Sequence, residues 1–403
     1  MKISKLILIF LLLNAFAFGD WLGFRGNNGN GFVDGQLPAD LNLISSNSWK
    51  VSLPGRGLSS PIIVNNLVLL TASSGPQQKN LHILAFDIEN GVIEWERVFK
   101  ATGRTICHEK TCVASSTMVS NGNVVVAQFS SNDIFCLDLK GNLIWLRGLT
   151  FDYPNIANGL GMSSSPVISN GVLIAQVEND ADSYTFGLNL QNGTTNWKKL
   201  RPKGANWTSP IILKDNSTEW VGLQSKTGLS FVLPSNGDEF WSYNDGASTI
   251  PSSAIAPNRS VLIPSNGITA IKKANNGAPF SQIWSNNKLS PGTGSPTVSG
   301  NQVFVVNRAN VLTSASVENG EINWRLRIKG PVSASPITTD KNLILFSEEG
   351  ICQIIDISNI IEAKVLNEMD FQDTILCTPA ANNKSLFVRS DKSLWRVSPK
   401  SKN

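Results

Sequence analysis

The sequence predicts an all-β protein: an eight-bladed β-propeller, four antiparallel strands per blade, with the ring closed by an N-terminal strand that completes the last blade. Two repeats and one count predict it. The first repeat places a tryptophan four residues after a glycine, in Gly91…Trp95, Gly141…Trp145, Gly193…Trp197, Gly237…Trp241 and Gly320…Trp324. A stretched copy runs from Gly277 to Trp284. The second is a small-small-Pro lead into an apolar run: Ser59-Ser60-Pro61, Ser164-Ser165-Pro166, Thr208-Ser209-Pro210, Gly294-Ser295-Pro296, Ala334-Ser335-Pro336 and Cys377-Thr378-Pro379. Ser115-Ser116-Thr117 and Ser252-Ser253-Ala254 are looser copies. The third positions fall at 61, 117, 166, 210, 254, 296, 336 and 379, eight units of the length of a four-stranded propeller blade.

Each strand has a local reason. Ala85 to Ile88 alternates apolar and polar, as a half-buried strand does. Asn90-Gly91 then predicts a two-residue hairpin turn, since glycine supplies a positive φ without strain. Small residues begin each innermost strand because these strands converge on the axis, and proline is tolerated there because an innermost strand is a sheet edge. Trp49-Lys50-Val51 has the outer-strand tryptophan but no blade before it, and Thr378 to Val397 holds three strands and stops. The Trp49 strand is therefore expected to finish the last blade. That sets the propeller at 48–398, about 44 residues per blade. The seventh blade is weakest: Asp356-Ile357-Ser358-Asn359 keeps a turn, but neither glycine nor tryptophan follows. At this spacing Trp49, Trp95, Trp145, Trp197, Trp241, Trp284 and Trp324 read as structural wedges between blades.

Met1 to Gly19 reads as a secretory signal peptide, with a basic start, an apolar stretch from Leu6 to Phe18 and cleavage before Asp20. The mature protein is then exported, to the periplasm or beyond, with no later segment apolar enough to span a bilayer. Residues 20–47 form an irregular leader rich in glycine and asparagine. Its Trp21 and Phe24 are expected to dock it on the propeller, with Arg25 as a loop pin or a ligand contact. The chain has 403 residues and a net charge of +4, with no Lys/Arg run longer than two, which argues against nucleic acid as the main partner.

Export permits disulfides, and Cys107 and Cys112 enclose a four-residue loop. A local disulfide is expected, the alternative being a metal site that adds His108. Cys136, Cys352 and Cys377 fall in predicted strands and read as buried small hydrophobes.

In an up-and-down blade, the A–B and C–D turns share one face, and the B–C and D–A loops share the other. The first set is uniformly tight, as at Asn65-Asn66, Asn121-Gly122 and Asn170-Gly171. The second holds the long insertions 73–80, 100–113, 148–162, 177–184 and 201–206. Function usually sits on loops carried by a rigid frame. The binding-face candidates are therefore Arg56, Arg104, His108, Asp152, Tyr153, Glu178, Asn206 and Trp207. Only His82 and His108 exist, and no Ser-His-Asp set is legible, so no catalytic residue is assigned. Glu178, Asp180 and Asp182 could hold calcium, but they lack the glycine and distal glutamate of an EF-hand loop, and a solvated loop is the plainer reading.

Asp87…Gly91…Trp95 resembles the tryptophan-docking repeat of the pyrroloquinoline-quinone (PQQ) propeller superfamily, and the resemblance runs from Trp49 to Val397. Trp21-Leu22-Gly23-Phe24-Arg25-Gly26 and Cys107-His108-Glu109-Lys110-Thr111-Cys112 resemble an exported bacterial branch of it. The superfamily includes quinoprotein dehydrogenases, which bind PQQ over calcium, and the assembly scaffold of the outer-membrane β-barrel machinery, which makes protein contacts only. This chain lacks the adjacent Cys-Cys pair of many alcohol-oxidising members, and it also lacks a lipid-anchor cysteine. The resemblance implies a non-catalytic scaffold that binds protein partners in the cell envelope, acts as a monomer and needs no cofactor. The alternatives are a PQQ- or metal-dependent oxidoreductase, which would need PQQ and Ca2+, and a carbohydrate- or polymer-binding propeller.

Overall fold

The computed structural model describes residues 19–35, 37–156, 159–215, 218–273 and 279–400. The signal segment through Phe18 and Gly277 of the stretched repeat lie outside the described residues. Seven four-stranded sheets and one sheet with an extra strand form eight antiparallel blades. Blade 1 is Ile62–Val64, Leu67–Ser74, Asn80–Asp87 and Ile93–Lys100, named strands A to D outwards from the axis. Among the described residues no helix is long and apolar enough to cross a membrane.

The ring closes as the sequence predicts. Trp49–Ser52 pairs antiparallel with Ser393–Pro399, Trp49 opposite Arg396 and Ser52 opposite Ser393. A further two-residue strand, Leu41–Asn42, pairs with the far end of the same strand. Closure this way leaves neither end of the ring with an open edge.

The C–D turn differs from the expected two-residue hairpin. Asp87 N–H donates to Val92 O and Gly91 N–H to Asp87 O, so four residues make the loop, and only its glycine takes a positive φ, +73°. The aspartate organises it: Asp87 Oδ1 accepts from Glu89 and Asn90 N–H at 2.9 and 3.0 Å. Asp138 repeats this on Lys140 and Asn142, and the Asn142 side-chain amide holds the Asp138 carboxyl below its ordinary range.

Each repeat tryptophan packs on the next blade. The C–D glycine leaves the space it occupies: a Cβ at Gly91, Gly141, Gly193, Gly237 or Gly320 would lie 2.5–2.8 Å from the ring of Trp49, Trp95, Trp145, Trp197 or Trp284 respectively. In Trp49, Trp95, Trp145, Trp197 and Trp284 the indole N–H donates to a carbonyl of that next loop, as Trp95 does to Leu139 O at 2.9 Å and Trp145 to Leu190 O at 2.8 Å. Trp324 faces the seventh blade, whose loop lacks the glycine, and its buried Nε1 has no hydrogen-bond partner among the described residues. The core is consequently a ring of clusters between blades rather than one central mass. One such cluster joins Ile62 and Ile83 of blade 1 to Val125 and Phe135 of blade 2.

Around the axis the small residues do more than fit. Ser60 N–H donates to Thr117 Oγ1, Thr117 N–H to Ser165 Oγ, and the series continues through Ser209, Ser252, Ser295 and Ser335 to Thr378 at 2.9–3.0 Å. Blades 2 to 8 thus each satisfy a backbone donor of the one before with a hydroxyl. An unmade pairing of this kind would leave a buried N–H unsatisfied.

Candidate functional site: the loop face and the axial cavity

The leader docks on the propeller, and it docks on the tight-turn face. Asp20 Oδ1 accepts from Asn65 N–H, Trp21 bridges Ile63 and Leu22 O accepts from Ser120 N–H. The chain then crosses the axis. Arg25, 1% exposed, donates to Ser253 O at 3.1 Å and to Pro296 O, which makes it a pin between blades 5 and 6. Burial lowers its guanidinium to about 9, so it stays charged at neutral pH. Gly31 and Val33 pair with Thr338, and Asn367 Nδ2 holds Ala39 O and Leu41 O. The leader therefore covers the plain rim and leaves the loop face for contacts.

On the loop face two insertions meet. His108 N–H and Thr111 Oγ1 both donate to Leu160 O, at 3.0 and 2.9 Å, and Trp207 Nε1 donates to Gly161 O at 2.8 Å. Lys110 Nζ reaches Glu348 of blade 7 at 3.3 Å. These groups surround an axial cavity of about 420 Å³, lined below by the hydroxyl belt and reached from the other side by Phe24. A second hollow, roughly 1010 Å³, lies between blades 1 and 2 and is lined by Lys79, Arg104, Ile106, Cys107, Phe151 and Pro154 among others. Ile106 is 65% exposed and Phe151 is 77% exposed.

The candidates divide among these places. His108 and Trp207 stand at the cavity mouth, and His108 Nδ1 accepts from Lys110 N–H at 3.1 Å. Arg104 is exposed on the groove. Arg56 is held by Asp391 at 2.9 Å and by Glu109 O. Asp152 pairs with Arg147. Tyr153 packs near Tyr184 and Phe186, with Lys198 Nζ 4.4 Å from its ring centre.

Glu178 and Asn206 are not on the surface at all. Both are 1% exposed, and Glu178 accepts from Arg201 Nε at 2.6 Å and from Asn206 Nδ2 at 2.9 Å. Burial pushes the Glu178 carboxyl up, and Arg201 pulls it back. This is an interior clamp between blades 3 and 4, not a calcium loop.

The expected Cys107–Cys112 disulfide is not formed, and all five cysteines are free thiols. Cys112 is drawn into the apolar core between blades 1 and 2, while Cys107 stays half-buried at the groove, where Gln78 Nε2 approaches its sulfur at 3.4 Å. Burial pushes the Cys112, Cys136 and Cys377 thiols up to about 12.

The axial cavity can be compared with what a quinone would need. PQQ is a tricarboxylate that sits over a divalent cation, so it calls for several free cationic groups and a set of carboxylate ligands. The belt hydroxyls already accept backbone N–H groups, Lys110 is paired with Glu348, and among the described residues no three His, Cys, Asp or Glu side chains are grouped to hold a metal. This lining does not fit the group.

One set was missed in the sequence. Ser74, His82 and Glu96 of blade 1 lie in hydrogen-bond contact. They come from three strands and share no motif. Only the predicted pairing of strands B, C and D could have brought them together.

Comparison with known proteins agrees with the geometry. A family described as "Outer membrane protein assembly factor BamB" matches residues 45–175 and 264–363. A protein of that name from Legionella pneumophila (strain Paris) is 22% identical over 248 residues, covering 61% of this chain and 51% of the relative. The namesake from Alkalilimnicola ehrlichii is 24% identical over 186 residues, covering 45% and 42%. The chain spans about half the length of the curated relatives it matches. Among solved structures, BamB from Moraxella catarrhalis superposes with a TM-score of 0.64 at 15% identity, covering 88% of this chain and 98% of that one. Quinohemoprotein alcohol dehydrogenase from Comamonas testosteroni superposes at 0.71 with 11% identity, covering 97% and 82%. At such identities the superpositions show the propeller fold alone. The two matched stretches make up more than half of the chain, which is thus a PQQ-like propeller belonging to the family described as outer membrane protein assembly factor BamB.

Proposed function

We propose that this chain is an exported propeller of the cell envelope whose part in outer-membrane protein assembly is that of a non-catalytic, protein-binding scaffold. Family membership supports the class of process, and the asymmetry of the two faces supports the mode. The observation that carries the reading is the apolar pair Ile106 and Phe151, exposed on the groove between blades 1 and 2 and rimmed by Arg104 and Lys79. Exposed apolar side chains grouped within a polar rim mark contact surfaces. The leader closes the opposite face, so a partner meets the loops.

The test is photo-crosslinking in the native envelope, with the reactive residue placed at 106 or 151. The expected result is a discrete adduct with an envelope protein, lost in Ile106→Asp combined with Phe151→Asp. Adducts that appear only from the tight-turn face would overturn the assignment of the surface. A protein found only in the cytoplasm would overturn export.

A further inference from the structure

The face of blade 1 turned towards blade 8 carries a polar row that packing does not call for. In an antiparallel sheet, directly opposed residues and residues two apart share a face. Ser74 opposes Asn80, Ala72 opposes His82 and Leu84 opposes Glu96, so Ser74, Asn80, His82 and Glu96 share one. Ser74 Oγ lies 2.7 Å from His82 Nε2, and His82 Nδ1 lies 2.6 Å from Glu96 Oε1. The His82 side chain is 9% exposed, whereas Ser74 is half-buried.

The carboxylate can only accept, so Nδ1–H donates to Glu96, and in the neutral imidazole Nε2 then accepts from the serine hydroxyl. Lys100 Nζ binds Asn80 Oδ1 at 2.5 Å, and this turns the amide nitrogen of Asn80 towards Ser74 Oγ at 3.4 Å. Gly75 has φ +72°, and a Cβ there would lie 2.6 Å from that nitrogen, so the amide approaches the serine only because position 75 has no side chain. A nucleophile, a base, a carboxylate that orients the base and a donor aimed at the reacting centre are thus present together.

We propose that Ser74, His82 and Glu96 form a nucleophile–base relay that hydrolyses small, activated esters, with Asn80 as the oxyanion donor. Ser74 Oγ bonds to the ester carbonyl carbon as its proton passes to His82 Nε2. The carbonyl–alkoxy bond then breaks, and the same proton leaves with the alcohol. Water repeats the sequence on the acylated serine, so one ester and one water give one acid and one alcohol. Glu96 is a positioning residue. Val98, opposite His82 and 52% exposed, offers an apolar surface beside the serine. The inference goes beyond the scaffold reading and stands or falls separately from it.

The test uses the purified full-length chain with a fluorophosphonate probe mapped by peptide mass spectrometry, and p-nitrophenyl acetate as substrate. Ser74 should be the labelled residue. Labelling and turnover should vanish in Ser74→Ala, and both should fall on the order of 100-fold in His82→Gln, the contribution of a positioned general base. The labelling rate should rise with a single deprotonation in the parent chain and be flat with pH in His82→Gln. If His82→Gln does not fold, Asn80→Ala carries the test, with an expected loss on the order of 100-fold at an unchanged thermal midpoint. An unlabelled Ser74 under conditions that exhaust a reference serine hydrolase, or turnover unchanged in Ser74→Ala, overturns the proposal.

Discussion

The indole of Trp95 rests on Gly141 of the following blade so closely that a Cβ at 141 would lie 2.6 Å from the ring. The glycine also holds φ +80°, a conformation that side chains resist. Gly141→Ala should therefore cost about 2–5 kcal/mol, backbone strain and overpacking acting together. Gly122→Ala is the control: φ is +88°, but nothing lies within 4 Å, so only the strain, about 1–2 kcal/mol, remains. Denaturation midpoints of the two variants give the comparison.

The docking tryptophans are not equivalent. Trp95→Phe removes the bond to Leu139 O and leaves that carbonyl without its donor, whereas the Trp324 Nε1 is already unpartnered among the described residues. Trp95→Phe should cost about 1 kcal/mol more than Trp324→Phe. Equal losses in thermal melts would contradict the assignment of these bonds.

Thiol alkylation should distinguish the cysteines. Cys107 is half-buried at the groove, while Cys112, Cys136, Cys352 and Cys377 are buried, with their thiols raised well above the ordinary range. Iodoacetamide at pH 8 should modify Cys107 in the native protein and the other four only after unfolding. Modification of Cys107 that requires prior reduction would instead reveal a disulfide.

Acid should expose the turn aspartates. The carboxyl of Asp138 holds its proton less tightly folded than unfolded, chiefly through the Asn142 amide. Its contribution is therefore present above the unfolded value and lost as pH falls through the lower folded one. The stability difference between the parent and Asp138→Ala should shrink between pH 6 and pH 3, as followed by chemical denaturation. A difference that stays constant over that range would show that the carboxylate's charge plays no part.

Incubation with PQQ and calcium, followed by gel filtration, should leave the quinone absorbance in the small-molecule fraction. The belt hydroxyls around the cavity are already engaged with backbone donors. Stoichiometric co-elution with the protein would move the oxidoreductase reading ahead of the scaffold.

The blades and their closure were legible because they follow from periodic features: alternation within strands, a glycine that makes room for an indole, and small residues at the axis. The contacts made by individual polar side chains were not. Glu178 sits in what reads as a polar insertion, yet it turns inward to Arg201, because its partners come from the 201–206 insertion rather than from its own loop. His82 lies on a strand, but its partners lie eight and fourteen residues away on other strands. The spacing of Cys107 and Cys112 suggests a pair, but core packing separates their surroundings. Local pattern determines which face a residue occupies, whereas register and neighbouring blades determine what it touches.

Of the strands of the ring, Trp49–Ser52 leaves the ribosome before any strand of blade 1, and its partner Ser393–Pro399 after all the others. Until that partner arrives, blades 1 and 8 each have an exposed flank, and the leader has only part of its bed to lie on. The propeller consequently assembles as an open arc held by neighbour-to-neighbour contacts. It becomes a ring in one late, long-range step, which makes the unfinished arc the form most vulnerable to proteases and to stray strand pairing.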